Sequence, residues 1–370
     1  MNRKKIKLCF FSPMAYPLFK KTNGNHGGAE VDLYLISTEI AKNDRYSVSL
    51  LVGDYGQEPL ELIENVRLIK LKYESMKTEK SLIRKILKRL YLVTVLVKYR
   101  FDLYFLEAMS EHLGYIVFIG KMLGNGKVIY RTASDLDYEY LEYLHGFERS
   151  LFGFAIQHTD ILISQHVGQK ERWENKLKMR SIVVENGFRI TSSNIACKEY
   201  FLWVGRADKL KRPDLFLDIA MKLPGKKFVM IIPGENPLSE RIRTRAIGMD
   251  NVIYSSGISF FDIQDYYNGA KCLINTSQFE GFPNTFIQAF LGKTPVLSFL
   301  VNPGNIIDDF NLGLCCRDDI DQAIDFINNL DDQVIMKLGE NAFRYVNERH
   351  DIRQKVSLYT EMIDTLVGEK

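Results

Sequence analysis

Strand-like apolar runs alternate with helical ones along the chain, and its 370 residues exceed the size at which a single core stops growing. After the polar stretch Ile190-Thr191-Ser192-Ser193-Asn194, the alternation starts again. Together these observations predict an α/β protein of two Rossmann-like domains in tandem, each around its own parallel sheet. The cleft between two such domains is the default place for a ligand.

The elements follow in order from short apolar runs bounded by turn residues. Ile6 to Ser12 reads as the first strand and Glu30 to Lys42 as the helix after it. Further strands are predicted at Ser47 to Gly53, Val66 to Leu71, Leu103 to Leu106, Val128 to Arg131, Ile161 to Ser164 and Ile182 to Val184. A second series opens at Tyr200 to Val204 and continues with Phe228 to Ile232, Val252 to Tyr254, Cys272 to Asn275 and Pro295 to Phe299. From Asp332 to Gly368 the pattern is helical, able to pack on the second domain or to cross back to the first. The predicted division is 1–190, 191–350 and a terminal helix at 351–370.

Composition sets the broad class. Hydrophobic residues make up 46% of the chain and charged ones 26%, which suits a folded globular protein and excludes extended disorder. No apolar run reaches the roughly 20 residues needed to cross a bilayer. Met1-Asn2-Arg3-Lys4-Lys5-Ile6 leads into a strand instead of a secretory segment, so a cytoplasmic protein is expected. The five cysteines (Cys9, Cys197, Cys272, Cys315 and Cys316) show no C-x-x-C spacing; free thiols, three of them in apolar surroundings, are expected, with neither disulfides nor zinc. A net charge of +3 makes no global case for nucleic acid.

Chemistry concentrates in the second half. Glu280-Gly281-Phe282-Pro283-Asn284-Thr285-Phe286-Ile287-Gln288 joins a short strand to an apolar helix, and Glu280 and Gln288 bracket the turn. A helix start offers unpaired N–H groups and a partial positive charge, so the turn suits a phosphate. Phe282, Asn284 and Thr285 are candidate donors, whereas Pro283 has no N–H. A second cluster, Gly205-Arg206-Ala207-Asp208-Lys209-Leu210-Lys211-Arg212-Pro213, directly follows the first strand of the second series. Cations at a strand end can clamp a diphosphate and stabilise the charge that grows as it leaves. The plain alternative is a solvated basic turn with Pro213 opening a helix. Two such loops in one domain can converge on one phosphate-bearing ligand.

This motif set resembles the GT-B glycosyltransferases of family 4, and the resemblance runs from Gly27-Gly28-Ala29-Glu30 through Glu185-Asn186-Gly187 to the C-terminal helices. It implies a GT-B fold, two Rossmann-like domains facing across a cleft, with the nucleotide-sugar donor on the second domain and the acceptor on the first. Arg206 and Lys211 match the family's G-R and following lysine, which bind the donor diphosphate and stabilise the leaving group. Glu280 matches the first acid of the E-x7-E motif, expected to accept from donor-sugar hydroxyls. Gln288 stands where the second acid normally binds the ribose; its amide oxygen still accepts, but without a charge-assisted bond. Pro283-Asn284 also departs from the family's usual residues. Gly257 and Ile258 match a loop that holds the nucleobase through backbone groups.

In the first domain, Gly24-Asn25-His26-Gly27-Gly28 precedes a helix, and its glycines let backbone approach a ligand closely, with Gly27 and Gly28 as candidate substrate contacts. The G-x-G-x-x-G fingerprint of dinucleotide binding is absent. Asp135-Leu136-Asp137 has the spacing of a D-x-D metal motif, but that motif belongs to single-domain GT-A enzymes, and no metal or other cofactor is expected. The family's sugar-contacting histidine falls here at Ala133 or Ser134. His145 reads as a helix-surface residue, and His158 and His166 as edge residues with no acid partner spaced for catalysis.

Residues 77–100 carry Lys77, Lys80, Arg84, Lys85, Lys88, Arg89, Lys98 and Arg100 against Glu79 alone. On a helical wheel, Arg84, Lys85, Lys88 and Arg89 share one side, and Leu82, Ile83, Ile86, Leu87 and Leu90 the other. Such a face suits an anionic membrane surface, and equally a solvated basic face over a core-directed apolar stripe. Aromatics are not interleaved for nucleic-acid stacking.

The expectation is therefore a retaining, metal-independent hexosyltransferase. It takes a nucleotide-diphosphate sugar and a glycan or lipid-linked saccharide acceptor in cell-surface polysaccharide biosynthesis, in the cytoplasm and peripheral to the inner membrane leaflet. The rivals are another GT-B enzyme, such as a nucleotide-sugar epimerase or a phosphorylase, and a non-catalytic nucleotide-sugar-binding subunit.

Overall fold

The apolar runs build two separate sheets in the computed structural model, which describes residues 4–22, 24, 26–72, 82–108, 111–122, 126–135, 137, 145–190 and 197–368. The chain divides into two units: Met1–Lys20, Gly28–Gly187 and Ile352–Lys370 form the first, and Lys21–Gly27 with Phe188–Asp351 the second. The linker predicted at Ile190 to Asn194 lies outside the described residues from Thr191 onward.

In the first unit, β1 (Ile6–Phe11), β2 (Tyr46–Val52), β3 (Leu60–Ile63), β4 (Val66–Lys70), β5 (Leu103–Glu107), β6 (Lys127–Arg131), β7 (Ile161–Ser164) and β8 (Ile182–Val183) make one sheet. Its order is β3-β4-β2-β1-β5-β6-β7-β8. β1 pairs in parallel with β2, from Ile6 opposite Tyr46 to Phe11 opposite Leu51, and with β5 on its other side. Leu8, Cys9 and Phe10 are fully buried, as a central strand covered on both faces requires. The short β3 is an addition to the predicted set and runs antiparallel to β4. Its two-residue turn, Glu64-Asn65, has positive φ at both positions, the conformation that matches the twist of a hairpin. Without a glycine there, the turn carried no signal.

The second unit holds β9 (Tyr200–Val204), β10 (Phe228–Ile232), β11 (Val252–Ser256), β12 (Ala270–Asn275), β13 (Val296–Ser298) and β14 (Gly313–Cys315). They pair in parallel in the order β11-β10-β9-β12-β13-β14. Phe201, Trp203, Phe216, Phe228, Met230 and Ile232 anchor the core beneath this sheet. β14 is a further addition to the predicted set. It closes on β13 where Gly313 adopts φ 149° so tightly that a Cβ would overlap the Val296 carbonyl.

The helical tail is two helices, Asp332–Arg349 in the second unit and Ile352–Gly368 in the first. A buried polar cluster fixes the latter. Arg131, fully buried at the end of β6, donates to the Tyr359 hydroxyl (3.1 Å), to Asn186 Oδ1 (2.5 Å), to Asp32 (3.2 Å) and to Glu107. Asn186 in turn donates to Asp32 at 3.2 Å, and Lys355 pairs with Glu185 at 2.9 Å. A Cβ on Gly187 would lie 2.9 Å from the Ile352 Cα. Glu185-Asn186-Gly187 is thus the seat of the C-terminal helix.

Candidate functional site

β9 and β12 are neighbours in a parallel sheet, so the loops leaving their C-terminal ends adjoin. The first loop ends at Pro213, the opening residue of the helix Pro213–Lys222, with Arg212 at φ 49° before it. The second ends at Pro283, whose φ of −65° suits the cap position of the helix Asn284–Leu291. Across the two loops Lys211 Nζ lies 2.7 Å from Glu280 Oε2. The other oxygen, Oε1, accepts from Asn275 Nδ2 at 2.9 Å and Ser277 Oγ at 2.6 Å. Burial alone would raise the Glu280 carboxyl. The Lys211 charge and the hydrogen bonds from Lys211, Ser277 and Asn275 outweigh it and hold the group below the usual range, ionised. Asn275 and Ser277 were not singled out in the sequence; the polar run Asn275-Thr276-Ser277 at a strand end was the available signal.

The neighbouring cations differ. Arg206, two residues beyond β9, is exposed, and its side chain finds no partner among the described residues. Arg212 is committed to structure: its Nε donates to the Thr276 carbonyl at 2.6 Å and its guanidinium pairs with Asp318 at 2.7 and 3.0 Å. The structure therefore joins Lys211 to Glu280 and leaves Arg206 uncommitted on the same loop.

Of the other predicted contacts, Phe282 buries its ring against His350, with centroids 4.8 Å apart, so only its backbone can face a ligand. Asn284 and Thr285 head the helix half-buried. One turn on, Gln288 is 7% exposed; its carbonyl accepts from Gln264 at 3.0 Å, and no side-chain partner is found for it among the described residues. Gly257, at φ 73°, follows β11 together with Ile258, at the same edge of the sheet but two strands from β9. Gly28 opens the helix Gly28–Ile40 in the first unit, and Gly27 closes the short segment grouped with the second. Asn25 lies outside the described residues.

The two aspartates of the D-x-D triplet go to different partners. Asp135 accepts from His166 at 3.0 Å and pairs with Arg172. Asp137 accepts from the Ala133 amide at 2.7 Å and the Tyr130 hydroxyl at 3.2 Å, and burial pushes it up to about 6. His166 therefore has an acid partner, contrary to expectation. The two groups stand 31 residues apart and meet because β6 and β7 are adjacent. His158 stacks on Phe154, and His145 is an exposed helix-cap residue. Among the described residues no group of three or more His, Cys, Asp or Glu side chains is arranged to hold a metal ion. All five cysteines are free, with Cys9, Cys272 and Cys316 buried.

The basic segment forms the helix Leu82–Tyr99; Lys77, Glu79 and Lys80 lie outside the described residues. Its core contacts begin at Tyr91 and Leu92 and continue at Val95 and Leu96. Before them, Ile83 is 71% and Leu90 56% exposed, with Ile86 and Leu87 also at the surface. The core-directed reading of this stripe is thus overturned for Ile83, Ile86, Leu87 and Leu90. No helix among the described residues is long and apolar enough to cross a membrane.

Residues 198–332 match a family model described as glycosyl transferases group 1. No curated protein matches the chain. Solved structures match over nearly its full length. Sucrose-phosphate synthase from Thermosynechococcus elongatus superposes with a TM-score of 0.81 at 16% identity, covering 99% of this chain and 100% of that one. HepE from Anabaena, determined with UDP and glucose, gives 0.70 at 15% identity over 97% and 100%. WaaG, a glycosyltransferase involved in lipopolysaccharide biosynthesis, gives 0.68 at 15% identity over 96% and 99%. The fold is that of the GT-B glycosyltransferases, as predicted.

Proposed function

We propose that this chain is a glycosyltransferase that takes a nucleotide-diphosphate sugar and moves the sugar to a glycan or lipid-linked saccharide. The observation that carries the reading is the Lys211–Glu280 pair, a cation and a carboxylate held at the mouths of adjacent strands in the very segment that matches group 1 transferases. Lys211 and Arg206, whose side chain has no partner among the described residues, take the donor diphosphate, and Glu280, ionised and fixed by Asn275 and Ser277, accepts from sugar hydroxyls. The helix Asn284–Leu291 presents its N-terminal end to the distal phosphate. As the bond to the anomeric carbon breaks, negative charge grows on the departing diphosphate, and two positioned cations lower that barrier more than they stabilise the bound donor.

In this reading the cations supply what a metal supplies elsewhere, and the reaction proceeds with retention, as in the family 4 enzymes whose motifs the chain resembles. The likeness to a protein solved with UDP and glucose supports a hexose donor. The exposed basic helix supports work at the cytoplasmic face of a membrane, in cell-surface polysaccharide synthesis.

A thermal-shift screen against UDP, GDP, ADP and their sugars tests donor use, since a ligand at a hundred times its Kd adds about 2.7 kcal/mol of stability. Product masses then separate the readings. Release of nucleoside diphosphate with a sugar-extended acceptor supports transfer, an isomerised sugar without an acceptor means an epimerase, and binding without donor consumption means a non-catalytic subunit.

A further inference from the structure

We propose that Thr276 is a positioning residue that sets the Lys211–Glu280 pair, because it fastens the loop bearing one to the loop bearing the other. Thr276 is fully buried at the end of β12. Its hydroxyl accepts from the Trp203 indole at 2.9 Å and donates to the Lys211 carbonyl at 2.6 Å. Its own carbonyl accepts from Arg212 Nε at 2.6 Å, and two residues on the Gln278 amide donates to the Leu210 carbonyl at 2.8 Å. Three consecutive carbonyl or side-chain sites on the Lys211 loop, at Leu210, Lys211 and Arg212, are thereby tied to the segment that ends in Glu280.

The tie has a fixed side. Trp203 belongs to β9 and to the core, and Arg212 is itself pinned by Asp318 and lies over the Phe299 ring at 5.8 Å. Both Arg212 and Asp318 adopt positive φ, a conformation that surrounding contacts must maintain. The hydroxyl of Thr276 is the centre because one O–H donates in one direction while its lone pairs accept from another. A serine retains both bonds. A valine of the same shape makes neither, leaving the buried Trp203 indole N–H and the half-buried Lys211 carbonyl without these bonds.

The functional consequence rests on the glycosyl-transfer reading of the site. A displacement of about 1 Å in a positioned group costs about a hundredfold in rate, so loosening the loops acts on kcat even though Thr276 touches no substrate. The same loosening acts on the ion pair itself, whether or not sugar is transferred, and that allows an independent measurement.

Two readouts test the inference on the full chain. In donor turnover with the nucleotide sugar that best stabilises the wild type, Thr276→Val lowers kcat about a hundredfold with donor KM changed only a few-fold, at a temperature where the variant stays folded. Thr276→Ser restores the rate. In thermal unfolding, the coupling between Lys211→Ala and Glu280→Gln, present in the wild-type background, is lost in the Thr276→Val background. Coupling that survives the valine, or a kcat that falls only in proportion to unfolded protein, overturns the inference. If the wild type consumes no donor, the transferase reading fails by itself, and the coupling measurement still decides whether Thr276 sets the pair.

Discussion

Lys211 Nζ sits 2.7 Å from Glu280 Oε2, so the carboxylate that burial would neutralise keeps its charge through a cation on the next loop. Glu280 also draws on Asn275 and Ser277 through its second oxygen. On the proposed function, removing Lys211 has two effects, the loss of a diphosphate contact and the loss of the Glu280 partner, whereas removing Arg206 has only the first.

Arg206→Ala and Lys211→Ala each lower kcat by about 10²–10³-fold, the usual cost of deleting a group aimed at developing charge. Their stabilities separate them. Arg206→Ala leaves the melting temperature unchanged, whereas Lys211→Ala costs about 1–3 kcal/mol because the Glu280 carboxylate loses its main partner. Steady-state kinetics with paired thermal denaturation reads both, and unchanged turnover in both variants ends the transferase assignment. The Glu280 contribution also fixes a pH sense. A carboxyl held low in the native state stabilises it above the unfolded value near 4.3, and that stability is lost as pH falls through the lower folded value.

Gln288→Glu tests the ribose assignment. The wild-type amide can accept from a hydroxyl, but a carboxylate adds a charge-assisted bond worth roughly 1 kcal/mol more, or about fivefold in affinity. Calorimetric titration with the nucleoside diphosphate selected by the thermal screen measures it. Affinity that stays level or falls shows that position 288 does not face the ribose.

The legible part of this molecule is what apolar runs and strand ends dictate. β9, β10 and β12 were visible because parallel strands covered on both faces are continuously apolar. Lys211 and Glu280 could be paired in advance because both follow strands of one sheet. Side-chain direction is not written that way: nothing in Asn275-Thr276-Ser277 says which groups turn toward Glu280 and which toward Trp203. Long-range polar partners were equally hidden. Arg131 looks like the solvated end of an apolar strand, yet it is fully buried and reaches Tyr359, 228 residues away. Such clusters form only when several strand ends and a distant helix meet.

That cluster makes a pH prediction of opposite sign. Around the buried Arg131 stand two carboxylates, Asp32 and Glu107, and burial pushes Glu107 well above the usual range, with Arg131 opposing and Asp32 adding to the rise. Native protein thus binds a proton that the unfolded chain has released above about pH 4.3, so this group's contribution falls as pH climbs toward the folded value. Glu107→Gln, neutral throughout, removes that loss. Melting curves from pH 5 to 8 should show the variant gaining on the wild type as pH rises, and a constant difference would mean that Glu107 holds no such proton.

The exposed stripe on the helix Leu82–Tyr99 predicts binding to anionic vesicles. Arg84, Lys85, Lys88 and Arg89 each contribute about 1 kcal/mol near a negatively charged surface, and Ile86 and Leu90 add apolar contact at the headgroup boundary. Flotation with phosphatidylserine-containing vesicles should recover the protein at low salt, with recovery falling as salt screens the charges, and phosphatidylcholine alone should not. Ile86→Ser with Leu90→Ser should weaken recovery without lowering stability, because neither side chain is in the core; indeed, removing exposed apolar surface should leave the melting temperature the same or higher. No recovery at any lipid composition would return this face to solvent, and recovery that the double serine variant leaves unchanged would reduce the contact to charge alone.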